Sequence, residues 1–133
     1  MEITIVVDLG RTATLDSRMR AAIDRALHGG TEDATTLLLR EMKVYPAQRR
    51  GSIYKRTNTL KGSWHRTVKR AANGWQGEVK SSGNVASYNI FVQKQGMQSR
   101  VHVGRWPSEV QVAQRLEPQI VRMVQARVTA ALR

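Results

Sequence analysis

Along this chain the spacing of apolar residues switches between the two-residue repeat of a strand and the 3.6-residue repeat of a helix, and no other feature constrains the fold as tightly. Glu2-Ile-Thr-Ile-Val-Val-Asp8 is β-branched and partly alternating, which predicts a short strand ended by Gly10. Apolar residues then fall at Leu15, Met19, Ala22, Ile23, Ala26 and Leu27, the spacing of an amphipathic helix. Gly29-Gly30 stops that helix, leaving His28 at its end. Thr31 stands as the N-cap of a second helix to about Met42, with Glu32 and Asp33 in its first turn and Leu37, Leu38 and Met42 buried. The alternative is one longer helix that the double glycine merely interrupts.

Period two returns at Ser63–Ala71, placing Trp64, Arg66, Val68 and Arg70 on one face and His65, Thr67 and Lys69 on the other. Asn73-Gly74 is a two-residue hairpin signal, and Trp75–Ser81 and Ser87–Gln93 complete an antiparallel meander. Ser108 and Gln111 have capping-box spacing just after Pro107. Behind them Val112, Ala113, Leu116, Ile120, Val124, Val128 and Ala131 form a helical seam. Pro118 lies inside it, either kinking one helix or opening a second after Glu117. Two segments carry neither period: a basic, extended loop at about 44–62 and a glycine-containing loop at about 94–107. The expected fold is α+β over one domain, 1–133: a small antiparallel sheet packed by N-terminal helices and a long C-terminal helix, with a long extended basic loop.

With 133 residues the chain can bury one sizeable core without a metal or disulfide staple. Cysteine is absent, which removes disulfides, thiolate catalysis and cysteine-ligated zinc. No apolar run approaches the roughly 20 residues that cross a bilayer. The first ten residues carry acids where a signal peptide carries bases, so they read as structure and the expected setting is a cytoplasm. Charge is the outlying property, a net +12. Residues 1–41 hold five bases and seven acids, whereas 42–133 hold seventeen bases and three acids. Nine bases and no acid lie between Lys43 and Gly77. Such a field attracts polyanions, whether nucleic acid or an acidic protein face; the bland alternative is a solvated surface.

A catalytic set is not legible. His28, His65 and His102 have no second ligand at metal-binding spacing, and His65 and His102 lie among arginines that disfavour protonation and a bound cation. Beyond residue 41 the carboxylates Glu78, Glu109 and Glu117 are isolated, so no paired-carboxylate site is expected. There is no GxSxG elbow, and Gly51-Ser-Ile-Tyr-Lys-Arg-Thr57 lacks the glycine spacing and following helix of a phosphate loop. The expectation is no enzyme, no cofactor, no metal and no small-molecule substrate. Tyr45, Tyr54 and Trp64 are interleaved with Arg49, Arg50, Lys55, Arg56, Lys61 and Arg66, a pattern that could neutralise phosphates and stack bases. Trp64 on a strand and Trp106 beside a helix start read first as packing residues. The arginines of the C-terminal seam lack the aromatic anchors of a membrane-surface helix, so no membrane partner is expected.

Three segments in order resemble a known family. Tyr45-Pro46 followed by Gly51-Ser-Ile-Tyr-Lys-Arg-Thr-Asn-Thr-Leu-Lys-Gly-Ser-Trp64 resembles the "YPP…GSxYxRTGxLxxSW" stretch of tail-completion or minor tail (head–tail joining) proteins of long-tailed bacteriophages and prophages. Ala86–Gln93 is similar to that family's "xxYAxxVQ" strand, and Met97–Trp106 resembles its "MxxxHxGRW" segment. The likeness spans about residues 44–116. Ala47 stands where a second proline is usual, and Asn58 where glycine is usual, although asparagine also accepts a left-handed turn.

The resemblance implies a mixed fold with a long loop, a ring of copies, and a role in joining or completing the tail. The implied partners are further copies of the chain, neighbouring phage neck and tail proteins, and genomic DNA in passing. The implied location is the virion, with the host cytoplasm during assembly. Subunit-contact or DNA-lumen candidates are Tyr45, Arg49, Arg50, Tyr54, Lys55, Arg56 and Lys61 in the first loop, and Arg100, His102, Arg105 and Trp106 in the second. The alternative is a sequence-nonspecific nucleic-acid-binding protein, resting on the acid-free stretch. A small toxin or host-directed factor is a third option for which no residue speaks.

Overall fold

A computed structural model describes residues 1–8, 16–48, 50–51 and 58–133. Strand β1, Glu2–Asp8, comes first, as its β-branched run predicts. Helix α1 follows at Ser17–Met42, capped by Asp16, whose side chain accepts from the Met19 amide at 2.8 Å. Next come a short helix α2 (Thr59–Ser63), strands β2 (Trp64–Ala71) and β3 (Gly74–Ser81), a 3₁₀ turn at Ser87–Asn89, a short helix α3 (Ile90–Gln93), and the long helix α4 (Glu109–Ala131). The three strands form one antiparallel sheet in the order β1-β3-β2, so the chain is α+β, a small antiparallel sheet packed by helices. Gly10 and Leu15 lie outside the described residues.

α1 lies across the inner face of the sheet, and α4 packs along α1 and against β1. The principal core joins Ile3 and Val79 of the sheet, Trp64, Leu37, Leu38 and Met42 of α1, and Val112, Leu116 and Ile120 of α4. α4 begins with the capping box anticipated at Ser108: its hydroxyl accepts from the Gln111 amide, and the Gln111 side chain accepts from the Ser108 amide. Pro118 sits inside one continuous helix and does not divide two. It is exposed there, so the carbonyl left without an amide partner one turn back at Gln114 is within reach of water.

Four expectations need correction. Of the two readings of the double glycine the single longer helix holds, so the separate second helix from Thr31 is corrected, and His28 is internal to α1. A Cβ on Gly30 would sit 3.0 Å from Val124 Cγ2 and 3.4 Å from Val124 Cα. Close approach of α4 therefore uses the missing side chain, and packing outweighs the roughly 1 kcal/mol helix penalty of a glycine. Thr31 is no cap: its hydroxyl donates to the Leu27 carbonyl at 2.8 Å from within the helix. Secondly, the hairpin turn is Ala72-Asn73 and not Asn73-Gly74, because Ala71 pairs with Gly74.

Thirdly, Ser87–Gln93 is not a strand. β1 occupies the edge of β3 that a meander would have used, so β3 is paired on both sides. The segment instead buries Asn89, Val92 and Gln93, a spacing that suits a helical turn. Lastly, the first loop ends earlier than expected, because Thr59–Ser63 is helical. Asn58 precedes that helix with φ 61° and ψ 6°, the left-handed conformation for which asparagine substitutes tolerably for glycine.

Candidate assembly interface

Beside the principal core stands a smaller one. Leu60 of α2, Ala86 and Val92 of α3 are buried together, with Tyr45 and Trp106 packed over them. Tyr45 and Leu60 belong to the first segment of the motif series, Ala86 and Val92 to the second and Trp106 to the third, so all three segments meet here. Tyr45 and Trp106 contact edge to face, with ring centroids 5.0 Å apart at 63°. The Tyr45 hydroxyl accepts from the Lys61 amide at 3.0 Å, while Lys61 Nζ lies 5.6 Å from the Tyr45 ring centroid. The His102 ring stands perpendicular to Trp106, with centroids 6.3 Å apart. Arg105 Nη2 donates to the Ala47 carbonyl at 3.1 Å, tying the second loop to the first.

Buried amides hold this layer to the main core. Gln93 is fully buried; its Oε1 accepts from Trp64 Nε1 at 2.9 Å and its Nε2 donates to the Met42 carbonyl at 3.1 Å. Gln98 Nε2 donates at 2.8 Å to the carbonyls of both Val92 and Trp106. Gln95 reaches the start of α4, its amide donating to Glu109 at 2.7 Å and its side-chain oxygen accepting from the Ser108 hydroxyl at 2.6 Å. The second loop is thus seated on α3 and α4 at both ends.

Of the candidate residues, Tyr45, Lys61, His102, Arg105 and Trp106 come together. Arg50 and Arg100 are exposed outside this contact network, and Arg49, Tyr54, Lys55 and Arg56 lie outside the described residues. Trp64 is core, 2% exposed. Burial, and then the Arg105 charge, push the His102 imidazole below its ordinary pKa, which favours the neutral ring at neutral pH. Gln93 and Gln98 escaped the sequence reading as structural pins; the available signal was a glutamine ending an apolar run, which in a core must find partners.

Charge is distributed differently in space than along the chain. Arg66 pairs with Glu32 and Arg70 with Asp24, both acids of α1. Hydrogen bonds from the Arg70 guanidinium, foremost, hold the Asp24 carboxyl below its usual range against the opposing effect of burial. Arg115 pairs with Glu41 at 2.9 Å and Arg127 with Asp33 at 2.6 Å. On the outer face, Glu78 receives Lys80 at 2.9 Å and Lys69 at 3.0 Å, and these bonds draw its pKa down to about 2. The acid-free stretch from Lys43 to Gly77 is therefore partly compensated by acids from elsewhere. Arg50 and Lys61 remain exposed at the loop end.

Among the described residues no group of three or more His, Asp or Glu side chains could hold a metal ion, and no helix is long and apolar enough to cross a membrane. What the cluster offers is half-buried aromatic area edged by cations, the surface chemistry of macromolecular contact. No protein-family model, no curated protein and no solved structure matches this chain.

Proposed function

We propose that this chain is a structural virion protein of a tailed phage, forming an oligomeric ring at the head–tail junction or upper tail as a tail-completion or neck component. One observation carries the reading: the three segments that resemble that family converge, with Tyr45, Lys61, Arg105 and Trp106 in contact over buried Ala86 and Val92. A contact patch built from all three motifs fits a role in which the motifs exist to meet a neighbour. Exposed Lys61 and Arg100 would steer an acidic partner surface, and the aromatic pair would supply packing area. The reading needs no cofactor and no catalytic group, and its location is the virion, with the host cytoplasm during assembly.

Electron microscopy of purified particles tests it. The expected result is density for this chain in a symmetric ring at the portal end of the tail; its absence from every purified particle would sink the proposal. The second reading, nonspecific nucleic-acid binding, is favoured by the exposed bases Arg50, Lys61 and Arg100 at the loop end and by the net +12. A gel-shift titration decides it: binding that weakens steeply with added salt supports contact with phosphates, and no binding at low salt removes it.

A further inference from the structure

Among the described residues β1 is an edge strand, hydrogen-bonded to β3 on one side. Along it runs an open groove of about 540 Å³ between β1 and α4, floored by Ile5, Val7, Ile120, Val121 and Val124. Among the described residues the only charged ones lining it are the acids Asp8 and Glu117. A second surface has the opposite character. From Ser81 to Ser108 the chain has bases and no acid, and α3 with the loop after it exposes Phe91, Met97, Val101 and Val103, each at least 43% accessible. Lys94 and Arg100 lie in that same stretch. The two surfaces share no residue: the protrusion joins α4 at Ser108 and Glu109, whereas the groove begins at Ala113.

An apolar groove with an acidic lining and an apolar protrusion with basic neighbours, on one chain, are mutually complementary in both hydrophobicity and charge. We propose that the β1–α4 groove receives the Phe91–Val103 protrusion of a second copy of this chain, so that copies associate head to tail. Such a heterologous contact uses a different patch on each partner and closes into a ring or continues as a filament. Burial of exposed apolar side chains drives the contact, and the Glu117 carboxylate selects the basic protrusion and disfavours a second acidic groove. The proposal rests on the reading of this chain as a ring-forming protein and names the surfaces that form the ring.

Analytical ultracentrifugation of three proteins tests it: the native chain, the groove variant Val121→Glu and the protrusion variant Phe91→Glu. Both substituted side chains are exposed, and circular dichroism verifies that each variant is folded. The native chain is expected to form species larger than a dimer, and each variant alone to be monomeric. An equimolar mixture of the two variants is expected to form a one-to-one dimer and nothing larger, because each brings one intact surface. Combining Glu117→Lys with Arg100→Glu in one chain is expected to restore association that either change alone weakens.

A monomeric native chain would overturn the proposal, as would a mixture that stays monomeric. Dimerisation of Phe91→Glu by itself would show a symmetric groove-to-groove contact and would overturn it too. The particle experiment above fails independently: head-to-tail association of a protein absent from virions would leave these surfaces standing and remove the virion reading, and a monomer found in virions would do the reverse.

Discussion

Replacing Gly77 by alanine tests the close approach of α1 to the sheet. Gly77 lies in the central strand where α1 crosses it, and a Cβ there would stand 2.3 Å from Thr35 Cγ2 and 2.9 Å from Thr31 Cγ2. Carbon atoms pack at about 3.5–4.0 Å, so the nearer pair must separate by more than an ångström. The threonines cannot simply turn aside: both are fully buried, and their hydroxyls donate to the Leu27 and Thr31 carbonyls at 2.8 and 2.9 Å. Overpacking of this kind costs about 1–3 kcal/mol, and the lower backbone entropy of alanine in the unfolded chain returns roughly 0.5–1 kcal/mol. The expected net loss is about 1–2 kcal/mol, which at roughly 4 °C per kcal/mol for a chain of this size is a clear drop in melting temperature. Urea denaturation should show a lower midpoint at unchanged slope. In the background Thr31→Ser and Thr35→Ser the hydroxyl bonds remain and the obstructing methyls are gone, so Gly77→Ala should become nearly neutral, a coupling of about 1–2 kcal/mol. Equal losses in both backgrounds would refute the argument that these methyls set the distance between α1 and the sheet.

Two further perturbations address buried polar side chains and their partners. Gln93→Leu keeps the volume but leaves buried Trp64 Nε1 and the Met42 carbonyl without partners; the expected cost is about 2–4 kcal/mol by chemical denaturation, and an unchanged midpoint would show that the bridge is dispensable. Glu78 concerns pH. Bonds from Lys80 and Lys69 hold its folded pKa near 2, below the ordinary 4.5, so the native state favours the ionised form. Its contribution to stability is therefore complete above about pH 4.5 and declines as pH falls toward 2. Glu78→Gln should flatten the acid limb of a stability–pH curve in that window, and an identical limb in the variant would contradict the assignment.

Local signals carried much of the architecture. β1 was legible from its β-branched run, β2 and β3 from alternation, and α4 from its seam and from the Ser108–Gln111 box, because each depends on neighbours a few residues away. The candidate site was legible in part: Tyr45, Lys61, Arg105 and Trp106 were singled out by residue type and motif, while their meeting required contacts between distant segments, such as the Arg105–Ala47 bond across 58 residues. Gln98 carried no pattern that distinguishes a bridging amide from a surface one, and the place of Gln93 at the end of an apolar run did not name its partners.

What the sequence by itself determined was where each backbone repeat runs and how unevenly charge is spread, since both are properties of adjacent residues. Only the tertiary structure decided the rest. Gly29-Gly30 reads as a break until α4 lies against Gly30 and takes the space a side chain would have filled. Ser87–Gln93 reads as a strand until β1 takes the edge of β3. The bases of β2 read as a free polyanion surface until α1 presents Asp24 and Glu32 to them. In each case the local preference is worth about 1 kcal/mol or less per residue, and packing between distant elements is worth more.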